Sequence, residues 1–461
     1  APYMPDAARL DRAWLDAHRA ADANALAAAE LTAVPPDRLA DLGLQLHPSL
    51  RVVELGWTVH EAWKANRDGG GGEKDAREVR RGQQWVLLWR AGHEVESQVL
   101  TAAEAAFFKA LQEKRPLGVA AAEALAGIGR APLVLQAKEG LALINGTQAI
   151  TSLLALAAIE ARRLLRAADL VGALSTDALR GTDTAFDARI HALRPYEGQR
   201  ASAANLWRSL QGSAIRDSHR INDVRVQDPY SVRCMPQVHG AARDLASDVE
   251  AKLAVEMNAV TDNPLVFPRE GERGDDLLSG GNFHGQPVAF AADILGIALC
   301  EIGSIAERRI EKLTNAAFSG LPPFLVHDAG LNSGFMIAQV TAAALVAENR
   351  ILAHPASVDS IPTSADKEDH VSMGMGAALK LQQIVANVRR VLAIELVAAA
   401  QGIDLLRPLT SSASLESLQE VGRRITTIPQ DFNAHKTIQR LLDRCQHGSV
   451  AEITVDEAHP G

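Results

Sequence analysis

Five glycine-bearing clusters hold the side chains best suited to chemistry: residues 138–148 (KEGLALINGTQ), 227–240 (QDPYSVRCMPQVHG), 261–266 (TDNPLV), 279–286 (SGGNFHGQ) and 363–374 (TSADKEDHVSMG). Between them they offer arginine, tyrosine, carboxylates, amides and histidines, groups that can hold a small polar molecule and move a proton. Asn, Asp and Gly also serve turns and helix caps, and Arg233 and Glu368 are by type equally good ion-pair partners. Five such mixtures exceed what surface loops require. His239, His284, His354 and His370 form no HxxxH or HxH pair, and Cys234, Cys300 and Cys445 are far apart, so no metal is expected. The Ser-Gly-Gly at 279–281 precedes no lysine of P-loop type, so no nucleotide site is expected.

Long helical patterns separate these clusters. Residues 287–313 are almost uninterrupted, about 40 Å of helix, with Pro287 suited to the first turn and Arg308, Arg309 and Lys312 to the last. Residues 336–353 and 373–401 carry apolar side chains on more than one face, as central members of a bundle do. The texture before residue 118 differs, and five of the six tryptophans (Trp14, Trp57, Trp63, Trp85, Trp89) lie there. That part reads as an Ala-rich helix over 5–31 and a segment, 46–63, that alternates before turning helical. A loop over 68–75 follows, then one or two strands within 83–100 leading into a helix over 101–114. The expected fold is mainly α, a long-helix bundle over 118–461 with a small α+β module over 1–117.

The chain has 461 residues, 47% hydrophobic and 22% charged, and a net charge of −9, which argues against nucleic acid as a partner. Neither a signal peptide nor an uncharged membrane-spanning run is read in the chain, and three unpaired cysteines suit a reducing cytoplasm.

From about residue 118 to 425 the motifs PLVLQAKEGLALINGTQ, FDARIHALRPYEGQ, QDPYSVRCMPQVHGA, NAVTDNPLVF, SGGNFHGQPVA, EIGSIAERRI, GLNSGFMIAQVTAAAL, PASVDSIPTSADKEDHVSMG and LAIELVAAAQG resemble the aromatic amino-acid ammonia-lyase family, and within it the histidine ammonia-lyase branch. The resemblance implies a fumarase/aspartase-like helical bundle, a homotetramer, and non-oxidative elimination of ammonia from L-histidine to give urocanate. It implies Arg233 as the carboxylate clamp, a role that suits its planar fork. Tyr230 is implied beside the electrophile, with Gln227 and Asn145 orienting it. Phe283 would line the pocket, Glu368 would bind the substrate's amine or imidazole, and His370 would serve as a hydrogen-bonding residue at a helix start. Tyr230 and Glu368 are thus the implied catalytic pair. The HPSLR string, the paired tryptophans and TAAEAAFFKAL of the first segment resemble part of a DNA-binding, bufferin-biosynthesis partner family.

The family's electrophile is a methylidene-imidazolone formed from an internal Ala-Ser-Gly. This chain holds no Ala-Ser-Gly; its nearest strings are Leu-Ser-Gly at 278–280, Phe-Ser-Gly at 318–320 and Asn-Ser-Gly at 332–334. As it stands, no cofactor is expected in it. Three readings follow: a histidine ammonia-lyase-like carbon–nitrogen lyase that is inactive or completed by a partner chain; a lyase that works without the prosthetic group on another amino-acid-like substrate; or a non-catalytic helical scaffold. Retention of Arg233, Tyr230, Asn145 and Glu368 as a buried polar constellation disfavours the scaffold.

Overall fold

The computed structural model describes residues 2–23, 34–35, 38–67, 79–91, 94–221, 223, 225–269 and 276–425; the loop expected over 68–75 and residues 24–31 of the expected first helix lie outside them. The chain divides into two units, Ala1–Gln136 and Ala137–Gly461.

In the first unit, α1 (Met4–His18) and α2 (His60–Arg67) accompany an antiparallel sheet ordered β1 (Arg51–Trp57), β2 (Arg81–Ala91), β3 (Glu94–Leu100). Strand alternation puts Val86 and Leu88 into a core with Leu10, Leu55 and Trp63, while Leu87 packs with Leu100, Ala105, Trp85 and Trp89 on the other face. The early tryptophans are therefore the bulk of a small unit's cores, where large side chains bury the most area per residue. Trp63 Nε1 donates to Asp11 Oδ1 at 2.7 Å, satisfying the indole N–H that its burial would otherwise orphan. Next comes α3 (Ala102–Gln112), capped by Thr101 and Glu104 in a reciprocal capping box, and then α4 (Leu117–Gly127).

The second unit is a helical bundle: α5 (Glu139–Asn145), α6 (Gln148–Ala178), α7 (Glu197–Leu210), α8 (Met235–Glu256), α9 (Gln286–Thr314), α10 (Met336–Leu352), α11 (Gly374–Leu405) and α12 (Ala413–Ile425). A two-stranded ribbon, β4 (Leu265–Phe267) with β5 (Asp276–Leu278), lies between α8 and α9. The starts of α6, α9 and α11 meet where Gly285 and Gly374 abut Ile150, and nearer their ends Ser175, Arg309 and Glu395 meet. These three helices thus run in the same direction. Contacts of Arg162 with Glu250 and of Asp169 with His239 make α8 run back against α6. Alanine and leucine alternate on the facing surfaces: Ala291, Ala292, Leu295, Ala298 and Leu299 of α9 are buried with Leu154, Ala161 and Leu165 of α6 and Leu381, Val388 and Leu392 of α11. Each buried Leu contributes about 1.5–3 kcal/mol. α9 is long and apolar enough to cross a membrane, yet most of its apolar window is buried inside the protein, as in a core helix.

Candidate active site

Arg233 and Tyr230 stand just before α8. Asp228 is buried, and its Oδ2 accepts from the Thr182 backbone N–H at 2.6 Å; burial pushes its carboxyl above the ordinary range. Pro229 then leads into the one-turn helix Tyr230–Arg233. Arg233 Nε donates to the Asp228 carbonyl at 2.9 Å, and its guanidinium carbon sits 4.6 Å from the centre of the Tyr230 ring. Among the described residues its two Nη nitrogens have no partner, which leaves the edge suited to a carboxylate available. Tyr230 is 70% exposed and Gln227 is also exposed.

Further into α8, a second polar group is sealed in the core. Asp169 of α6 accepts from His239 Nδ1 at 2.9 Å, Ser202 Oγ at 2.7 Å, Asn205 Nδ2 at 2.8 Å and Arg243 Nη2 at 2.5 Å. Burial opposes its charge, but the His239 hydrogen bond and the Arg243 charge win and hold the carboxyl below its ordinary range. Burial likewise holds His239 below its ordinary value, against the pull of the Asp169 carboxylate. Gly198 and Gly240 are required where α7 crosses α8, since a Cβ on Gly198 would lie 2.2 Å from the Gly240 carbonyl oxygen.

The other four clusters gather at the opposite end of α8. Asn145 closes α5, and its Nδ2 donates to Asp262 Oδ1 at 3.3 Å while Lys138 pairs with Asp262 Oδ2. The Lys138 hydrogen bond lowers the Asp262 carboxyl. Thr147 ties this turn to α8, donating from Oγ1 to Glu256 Oε1 at 2.6 Å. Gly146 is obligatory, for a Cβ there would lie 2.2 Å from the Thr261 carbonyl oxygen. Asn263 Oδ1 accepts from the Gly280 N–H at 2.7 Å, joining the second pair of clusters. His284 Nε2 donates to the His370 carbonyl at 3.1 Å, and the two rings stack at 5.8 Å. Gly285 has Ile150, Ser372 and Thr147 within 3.3–3.5 Å of where a Cβ would stand. Phe283 is 37% exposed beside this junction. Glu368 accepts from Thr363 Oγ1 at 2.7 Å, which lowers its carboxyl, and Ser364, Ala365 and Asp366 between them hold left-handed φ of +50°, +52° and +63°. Such backbone costs about 1–3 kcal/mol per residue and concentrates at functional sites.

The candidate residues therefore fall into two groups. Asn145, Phe283 and Glu368 stand at one end; Gln227, Tyr230 and Arg233 stand at the other, and the 22 residues of α8 lie between them. At 1.5 Å per residue that is roughly 33 Å, too far for one amino acid to touch both groups. Two expectations change. The residues form no buried constellation, because Tyr230 and Glu368 face outward from the helix ends. His370 sits in an exposed loop four residues ahead of α11, where its backbone carbonyl accepts the hydrogen bond from His284 and its ring only stacks. Asp228 and Asp262, which hold Arg233 and Asn145, had no role assigned from sequence; each lies inside a motif next to a proline or asparagine, a signal for a side chain that organises its own loop. A cavity of about 770 Å³ is lined by Phe186, His191 and Glu197 of the FDARIHALRPYEGQ motif together with Arg200 and Trp207, among others, and none of the candidate site residues lines it.

A family model described as aromatic amino acid lyase matches residues 98–424, well over half of the chain. The chain belongs to that family. Among aromatic amino acid lyases it is 56% identical over 317 residues to the histidine ammonia-lyase of Koribacter versatilis (strain Ellin345), covering 67% of this chain and 61% of the relative. It is 52% identical over 338 residues to that of Anaeromyxobacter sp. (strain K), covering 73% and 66%. The crystal structure of histidine ammonia-lyase from Trypanosoma cruzi aligns with TM-score 0.64 and 45% identity over 72% of this chain and 63% of that one. Tyrosine aminomutase from Streptomyces globisporus aligns with TM-score 0.67 and 38% identity, covering 76% and 69%. The fold is thus the long-helix ammonia-lyase type. The chain spans less than two thirds of the length of these curated relatives. None of these matches supports the resemblance of the opening segment to a bufferin-biosynthesis partner family.

The family uses a self-formed methylidene-imidazolone rather than an external cofactor. The residues present in this chain do not fit that group. Its Ser-Gly strings lack the preceding alanine and are committed to turns: Ser319 is buried with its hydroxyl donating to the Asn315 carbonyl, and Ser279 donates to Asn263.

Proposed function

We propose that this chain supplies substrate-holding residues for histidine ammonia-lyase chemistry, the non-oxidative elimination of ammonia from L-histidine to give urocanate in histidine catabolism. The observation that carries this reading is the Nη edge of Arg233, without a partner among the described residues and held by Asp228 beside Tyr230 within QDPYSVR. It is supported by relatives named histidine ammonia-lyase at 56% and 52% identity. In this reading the substrate carboxylate docks on the Arg233 Nη pair, and Tyr230 stands beside the reacting carbons. Glu368, kept anionic by its hydroxyl partner, takes the ammonium or imidazole, with Asn145, Gln227 and Phe283 orienting the molecule.

The two groups lie at opposite ends of α8, so a complete site requires the arginine end of one copy to meet the asparagine end of another. A homotetramer in the cytoplasm is the assembly proposed. Calorimetric titration with L-histidine or urocanate tests the reading. Arg233→Ala is expected to weaken binding at least about tenfold, the scale of a charge-assisted hydrogen bond; equal affinity of the variant and the parent chain overturns it.

A further inference from the structure

Beneath the Tyr230–Arg233 turn lies a charge pair that the proposed chemistry does not use. Arg309 of α9 and Glu395 of α11 are both fully buried, and they pair through Nε to Oε1 at 2.5 Å and Nη2 to Oε2 at 3.0 Å. Ser175 of α6 donates to the same Oε1 at 2.7 Å. The remaining arm of the fork, Arg309 Nη1, donates to the backbone carbonyl of Ser231 at 3.1 Å, in the middle of the turn that carries Tyr230 and Arg233. The Ser231 hydroxyl is itself buried without a partner among the described residues, so its side chain adds no anchor there.

A buried ion pair is a poor source of stability, because removing both charges from water offsets most of their attraction. Well-packed apolar residues would join three helices as firmly. They would leave the Ser231 carbonyl unheld, and a helix of four residues does not persist on its own hydrogen bonds. We propose that Arg309, fixed by Glu395 and Ser175, is a positioning residue that holds the Tyr230–Arg233 turn, and through it the Arg233 guanidinium, in register with the bundle. Lysine cannot substitute, since one ammonium lacks the planar fork that engages a carboxylate and a carbonyl in two fixed directions. The inference rests on Arg233 as the carboxylate clamp for its link to function, but the positioning itself is measurable without ligand.

The test is hydrogen exchange by mass spectrometry on the whole chain and on the variant Ser175→Ala/Arg309→Met/Glu395→Leu. The apolar replacement is expected to keep the thermal midpoint and the protection of α9 and α11. The amides of Val232, Arg233 and Cys234 are expected to exchange roughly tenfold faster, the scale of one lost hydrogen bond to a charged group. Wild-type exchange in that turn overturns the proposal. Should the triple variant fail to fold, Arg309→Lys is read in the same way: loosening confined to the turn supports the proposal, and unchanged protection sinks it. A parallel titration with L-histidine separates the two ideas. If Arg233→Ala loses affinity while the triple variant keeps it, the link from Arg309 to the clamp is wrong. If Arg233→Ala keeps its affinity, the clamp reading fails and the exchange result alone judges the positioning.

Discussion

The two ends of α8 use the same residue types under opposite rules. At the arginine end the supporting groups are buried: Asp228 has its carboxyl raised by loss of water, and Arg309 with Glu395 is sealed between three helices. At the asparagine end the carboxylates of Asp262 and Glu368 are lowered by hydrogen bonds from Lys138 and Thr363, and they sit in loops. One end is therefore built into the core and inherits its rigidity, whereas the other is assembled from four loops that hold one another. A substrate site formed from both would join a fixed carboxylate clamp to a more adaptable pocket for the remainder of the molecule.

The sharpest way to break this comparison is to damage one end per chain. Arg233→Ala and Asn145→Ala chains are each expected to lose L-histidine binding, and co-refolding them as an equal mixture should restore about a quarter of the sites if each site takes one end from each of two copies. Calorimetric titration of the mixture reads this directly, and no recovery would mean that both ends serve a site within one chain. A smaller effect is expected on stability. Asp169→Ala removes the shared partner of His239, Arg243, Ser202 and Asn205 in the core near the arginine end, and should cost about 3–5 kcal/mol in urea unfolding. The smallest effect is on pH dependence. The folded state holds His239 below its ordinary value of 6.5, so the unfolded chain takes up a proton first as pH falls. Stability is full above 6.5 and declines below it, by at most about 1.4 kcal/mol per pH unit. Thermal melts between pH 7 and 5 on the parent chain and His239→Gln check the sign: the variant should show a flatter slope in that window.

Much of the bundle was legible in advance because its elements are local. The pattern over 287–313 became Gln286–Thr314, 336–353 became Met336–Leu352, and 373–401 became Gly374–Leu405, each within one residue at its start; the first two also end within one residue and the third runs about one turn longer. The strands read within 83–100 and the helix read over 101–114 are Arg81–Ala91, Glu94–Leu100 and Ala102–Gln112. The site was legible by residue type but not by placement. INGTQ and QDPYSVR both read as site motifs, yet nothing in their composition says that a 22-residue helix separates them. Arg309 read as a favourable last-turn cation, while its neighbour Arg308 is half-exposed against Glu307 and Arg309 alone turns inward to Glu395.

The sequence by itself determined which helices form, which loops carry the polar chemistry and to which family they belong, since periodicity, caps and motifs are properties of neighbouring residues. Only the tertiary structure decided which of those loops meet. Three long helices running the same way, with α8 returning against α6, carry INGTQ, TDNP, GGNFHG and KEDHVSMG to one end and QDPYSVR to the other. That outcome depends on helix direction and on a buried charge pair between residues 86 positions apart, neither of which any local stretch of sequence encodes.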